Sequence, residues 1–288
     1  MSAAAGIQAE GAIRGDASEP AVDLVMSCYE MTYEKVLSRD HVQRIVDDCR
    51  YPFRSRIIVI NNVTDRHAVS ELAEILKSQD IIQRYVFVED YIDCVLGQLH
   101  LKRADFGRIA CYSSALLVSV SVGAAPYVLH WDADVRLLSP CDWITPCLRR
   151  LEQSDDALTA NPLWNAHYYA MDVIRREARQ EDEEFLVGYG FSDQLFLARA
   201  AELRRPIYKY RHPFSLRYPL AHISPIFEQR IDSYMRRRHR LRLTYKGVSY
   251  AHPRETEGLS YPNPTRWESS KKFLNRQCVN VARMMGSK

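Results

Sequence analysis

Apolar positions in the first half of the chain alternate between two periods. VDLVMSC at 22–28 is a short β-rich run ending in polar Tyr29 and Glu30, and DHVQRIVDDC at 40–49 then spaces its apolar residues as an amphipathic helix does. RIIVINN at 56–62 is almost wholly β-branched, as a strand buried on both faces requires, and RHAVSELAEILKSQ at 66–79 returns to helical spacing. YVFVED at 85–90 predicts a third strand. FGRIACYSSALLVSVSVGA at 106–124 predicts a long buried helix closed by Gly123, and YVLHWD at 127–132 a fourth strand.

Such repeats predict right-handed βαβ crossovers, hence an α/β fold with a mostly parallel open sheet and helices on both faces. Ligands on these sheets bind at the carboxyl ends of strands. Those ends carry Cys28 and Tyr29, Asn61 and Asn62, Glu89 and Asp90, and finally His130, Trp131, Asp132 and Asp134. Beyond them the regularity falls away. DDALTANPLWN at 155–165 reads as a fifth strand, EDEE at 181–184 as a solvated turn or helix end, and SDQLFLARAAEL at 192–203 as a helix capped by Ser192 or Asp193. The organisation expected is a flexible lead-in at 1–20, a catalytic domain at 21–260 with halves at 21–140 and 141–260, and a tail at 261–288.

With 47% hydrophobic and 26% charged residues in 288, the chain can bury a full core, which excludes disorder and collagen-like repeats. Its seven cysteines are spread without any C-x-x-C pair, against both a disulfide scaffold and a zinc knuckle, so the cytosol is the expected compartment. The most apolar stretch, 115–131, is interrupted by Ser119, Ser121, Gly123 and Pro126 and is too short to span a membrane; the N-terminus lacks the apolar core of a signal peptide. The formal charge of +3 is too near balance to imply nucleic-acid binding, and interleaved aromatic motifs of single-strand binders are lacking. Positive charge gathers between Arg199 and Lys246, above all in MRRRHRLRL at 235–243. A run of this kind reads as a solvated helix face, and functionally as peripheral contact with an anionic membrane at its inner face.

Candidate chemistry centres on YVLHWDADVRL, where Asp132 and Asp134 emerge together after a buried strand. Two like charges there are costly unless a cation joins them, and hard oxygen ligands suit Mg²⁺ or Mn²⁺, which can neutralise a departing diphosphate.

This constellation resembles the nucleotide-sugar glycosyltransferases of GT-A fold over about residues 22–260. The family-2-like pattern of a glycine-led helix, an aromatic strand, D-x-D and a following proline stands here as Gly107, Tyr127, Asp132 to Asp134 and Pro140; the Ala-Arg-Asn of many such helices is absent. The resemblance implies a UDP- or GDP-linked sugar donor bound through Cys28, Tyr29, Asn62, Asp90, Arg108 and Asp132. It implies a Mn or Mg ion on Asp132, Asp134 and His252 in VSYAHP, with His222 in PLAHIS as a weaker competitor. In GYGFSDQLFL it implies that Asp193 is the general base of an inverting transfer and that Gln194 is on the acceptor side, with Asn161 and Trp164 of NPLWN as acceptor contacts. Retaining relatives also carry an Asp-Gln pair near this point. The acceptor implied is a saccharide or glycolipid, and the product a surface polysaccharide or lipopolysaccharide. Two other readings compete: a phosphatase of the haloacid-dehalogenase kind, whose first aspartate is a nucleophile, and a non-catalytic nucleotide-sugar-binding module.

Overall fold

The structure, a computed structural model, describes residues 20–164, 170–252 and 263–284. The expected lead-in at 1–20 lies outside them apart from Pro20, whose carbonyl accepts a hydrogen bond from Tyr51. The chain runs β1 (Val22–Tyr29), α1 (Tyr33–Val36), α2 (Arg39–Cys49), β2 (Ser55–Asn61), α3 (Arg66–Ser78), β3 (Arg84–Phe87) and α4 (Val88–Gln98). A 3-10 turn at Arg103–Ile109 then leads into α5 (Ala110–Val122) and β4 (Tyr127–Asp132). These four strands are parallel in the order β3-β2-β1-β4. Their apolar runs are continuous because both faces are covered: Leu24, Met26, Ile58 and Ile60 pack towards α2 and α3, while Val25, Ile57 and Val59 pack towards α4 and α5.

Two boundaries differ from the pattern. The third strand stops at Phe87, and Val88–Asp90 open α4, where Glu89 and Asp90 sit in the first turn and favour the positive end of the helix dipole. The buried helix is broken at Gly107, whose φ of 61° is the left-handed region and whose Cβ, if present, would stand 2.8 Å from the Ser224 hydroxyl oxygen.

The second half comprises β5 (Arg136–Leu137), α6 (Ile144–Gln153), β6 (Ala157–Trp164), α7 (Ala170–Glu177), β7 (Ala178–Glu181) and β8 (Phe185–Gly188). It continues through β9 (Leu195–Arg199), α8 (Ala200–Leu203), α9 (Phe227–Arg238), β10 (Leu241–Ala251) and α10 (Arg266–Met284). The whole sheet has the order β3-β2-β1-β4-β9-β6-β10-β8-β7, with β5 on β10. It is mixed, which corrects the expectation of a mostly parallel sheet: β9 is antiparallel to both β4 and β6, and β8 is antiparallel to β7 and β10. The helix expected at 192–203 is mainly this strand. Leu195 and Leu197 fill one core layer while Phe196 and Ala198 fill the other, a two-sided burial that only a strand between β4 and β6 provides.

The arginine-rich run is likewise partly internal. α9 is buried along most of its length, and Asp232, fully buried, accepts hydrogen bonds from Ser215 and from the guanidinium groups of Arg217 at 3.1 Å and Arg236 at 3.0 Å. Arg240 is paired with Glu202, and Arg237 donates to the Arg211 carbonyl. Arg236 and Arg240 are held by these ion pairs while Arg237 and Arg238 stay exposed, so the run is only in part the solvated face expected of it. Asp232→Ala is expected to cost about 3–5 kcal/mol, because it strands the buried Arg236 guanidinium and takes from Arg217 one of its two carboxylates. The midpoint of urea unfolding measures this, and a change below 1 kcal/mol would show the network to be dispensable. Among the described residues no helix is long and apolar enough to cross a membrane.

Candidate active site

The reversal of strand direction beside β4 builds the site. Parallel pairing sets the end of β1 against the end of β4, with Ser27 opposite Asp132, while β2 delivers Asn61 and Asn62 from the other side. Asn62 has a φ of 50°, which asparagine tolerates better than most residues, and its N–H donates to Glu89. β9 runs the opposite way, so its beginning lies beside the end of β4: the Asp132 N–H donates to the Gln194 carbonyl at 2.9 Å. The two-residue β5 pairs Arg136 with Ala251 at the end of β10, which carries His252 to the D-x-D turn.

These ends surround a cavity of about 340 Å³ lined by Ser27, Cys28, Tyr29, Asn61, Asn62, Asp132, Asp134, Asp193, Gln194 and His252, together with His130 and the first turn of α5 at Cys111, Tyr112 and Ser113. Of the residues expected from sequence, the structure brings Cys28, Tyr29, Asn62, Asp132, Asp134, Asp193, Gln194 and His252 to this one cavity. The others lie elsewhere. Asp90, in the first turn of α4, is bound by Arg66. Arg108 pairs with Glu268 at 2.7 Å and donates to the Asn263 carbonyl. Asn161 is buried within β6, its amide donating to the Pro162 carbonyl, and Trp164 packs against the core at the end of that strand. His222 borders a different cavity.

The D-x-D turn is held by short-range bonds. The Ala133 N–H donates to Asp132 Oδ1 at 2.8 Å, the Val135 N–H to the Asp132 carbonyl, and the Trp131 indole to the Val135 carbonyl. Each carboxylate already faces a basic side chain. Lys35 Nζ stands 2.9 Å from Asp134 Oδ1, and His252 Nε2 stands 3.7 Å from Asp132 Oδ2. Lys35 lies on the single-turn α1, and no pattern in the sequence marked it.

Burial alone would raise the Asp132 carboxyl, but His252 above all, with the Ala133 amide, holds it below its ordinary value. His252 is raised in return, by Asp132 above all. Burial brings His130 down to about 4, so this imidazole is neutral against the ring of Phe196. Asp193 goes the other way: burial first, and the negative charge of Asp132 second, push it up to about 6. Glu228 of α9, which the sequence reading passed over, is raised well above the carboxylate range by burial and then by Asp193.

A raised acid binds its proton more tightly in the folded than in the unfolded chain. Folded stability without divalent cations is therefore expected to fall as pH rises from about 4 to about 6, by roughly 2–3 kcal/mol for a carboxyl raised by some two pK units. Urea midpoints of the wild type and Asp193→Asn in chelator should diverge across that interval, the variant gaining. A difference independent of pH would mean that Asp193 does not titrate there.

The donor set fits a hard divalent cation in type: two carboxylates from one turn and an imidazole beside one of them. A cation taking Asp134 competes with Lys35. Among the described residues no group of three or more His, Cys, Asp or Glu side chains is already drawn together as a metal cluster.

No protein-family model matches the chain, and no curated protein matches it in sequence. Several solved structures share a likeness in fold alone. GalNAc-T7 with UDP, GalNAc and Mn²⁺ is 10% identical at a TM-score of 0.45, over 82% of this chain and 44% of that one. Mouse xyloside xylosyltransferase 1 in its apo form is 14% identical at 0.41, over 75% and 82% respectively. A mycobacterial protein is 12% identical at 0.43, over 93% and 74%. The likeness thus spans less than half of the first of these structures.

Proposed function

We propose that the chain transfers a sugar from a nucleoside-diphosphate donor to a hydroxyl of a saccharide or glycolipid-linked saccharide, as the resemblance to GT-A glycosyltransferases implies. The observation that carries this reading is the convergence of Asp193 with Asp132, Asp134 and His252 in one cavity at the strand ends. Ser27, Tyr29 and Asn62 offer polar groups for the nucleoside beside the first turn of α5. Asp132, Asp134 and His252 are the residues that would hold a Mn²⁺ or Mg²⁺ ion. When bound, such an ion neutralises the diphosphate and makes it a better leaving group.

Asp193 serves as the base. With a pKa of about 6 it is ionised at neutral pH yet basic enough to share a hydroxyl proton. As the acceptor oxygen attacks the anomeric carbon, Asp193 takes its proton, the bond from that carbon to the diphosphate breaks, and the nucleoside diphosphate departs from the opposite face with inversion. Release of UDP or GDP from sugar donors tests the reading. Slow hydrolysis without acceptor that stops on chelation is expected; a chain that binds the diphosphate but leaves every donor intact, with or without saccharide acceptors, would be a binding module.

A further inference from the structure

A second cavity, of about 580 Å³, opens between α10 and the segment that follows the 3-10 turn Pro213–Arg217. It is separate from the first: Leu220 borders the candidate active site, while Pro219 and His222 of the same segment border this one. Lys272, Arg276 and Arg283, four and seven positions apart in turn, share one face of α10 and line it. No Asp or Glu lines it. The one acid of α10, Glu268, is engaged by Arg108, and Arg217 across the cavity is already paired with Asp232 and Glu177. Among the described residues Lys272, Arg276 and Arg283 have no carboxylate partner.

We propose that this cavity binds a phosphate group, carried by an anionic lipid headgroup or by a soluble phosphate ester. Cations gathered without a counter-ion repel one another, and a phosphate supplies both the compensating charge and acceptor oxygens that suit a guanidinium fork. Asn275, 8% exposed, also lines the cavity and has an amide nitrogen without a hydrogen-bond partner. His222 is held neutral by burial and then by the charge of Lys272, so it adds hydrogen-bonding capacity without further repulsion. Exposed Phe273 lines the cavity and gives a lipid-borne phosphate an apolar side chain beside it.

The test titrates pyrophosphate into the full chain by calorimetry in the presence of chelator, for wild type, the doubly substituted Lys272→Glu/Arg276→Glu and Asp134→Ala. Both α10 positions are exposed, so the double variant is expected to fold, which its unfolding midpoint checks. Saturable binding, weakened at least tenfold by the α10 substitutions and retained in Asp134→Ala, supports the site. Vesicles of phosphatidylcholine with and without phosphatidylglycerol distinguish the source. Retention on anionic vesicles that the double variant loses assigns a lipid headgroup; pyrophosphate binding without vesicle retention assigns a soluble ester. Absence of both, or equal binding by the folded double variant, overturns the proposal.

Discussion

Asp134→Ala is expected to abolish cation-dependent turnover of the donor while leaving the chain folded. The Asp134 carboxylate lies in the cavity wall, and Lys35, which pairs with it, has a side chain 38% exposed, so an ammonium left alone can be hydrated. The substitution therefore removes a ligand without burying an orphan charge. Asp132→Ala is expected to act in the same direction, although it also disturbs Ser27, His252 and the Ala133 amide. Lys35→Met supplies the converse: with the competing ammonium gone, the cation is expected to bind no more weakly and the fold to persist. Mn²⁺ titration followed by electron paramagnetic resonance, beside a turnover assay, reads both effects. Undiminished turnover in Asp134→Ala would remove the D-x-D turn from the chemistry.

Asp193→Asn is expected to lower the transfer rate by roughly 10² to 10⁴, about 3–5.5 kcal/mol of transition-state free energy, with affinity for the nucleoside diphosphate little changed. Asparagine keeps the shape and one oxygen but cannot take the acceptor proton. Asp193 lines the same cavity but takes no part in the Lys35 and His252 ion pairs of the two other aspartates, so rate and donor binding are expected to separate. The wild-type rate is expected to rise with pH as Asp193 ionises and then to level, at or below about 6 because a cation on Asp132 would offset the charge that helps to raise this carboxyl. A loss of donor affinity equal to the loss of rate would make Asp193 part of the donor site, and a product with the anomeric configuration of the donor would exclude a single displacement.

The parallel half was legible because strands covered on both faces must be continuous apolar runs, and VDLVMSC, RIIVINN and YVLHWD are such runs. The strand-end position of Asp132 followed from that. The second half hid its structure for identifiable reasons. LFLAR followed by AAEL is a buried apolar run whose length suits a short strand or a helix, and only the slot between β4 and β6 decides for the strand. β5, which sets His252 beside Asp132, is two residues long and leaves no period to read. Arginines at 230, 236 and 240 look in composition like a solvated face, whereas partners as distant as Asp105 and Glu202 draw them inwards. Asp90 was misplaced by one misread boundary, since Val88 to Asp90 continue the apolar strand in sequence but begin a helix in space.

Thermal unfolding of the chain with UDP and with GDP, each in Mn²⁺ and in chelator, tests the central claim most directly. Ligand that binds only the folded state stabilises it by RT ln(1 + [L]/Kd), about 2.7 kcal/mol at a hundredfold excess over Kd. The account predicts a rise in midpoint of several degrees for at least one diphosphate, dependent on Mn²⁺ and absent in Asp134→Ala. Midpoints unmoved by both diphosphates, or moved equally in wild type and Asp134→Ala, would contradict it.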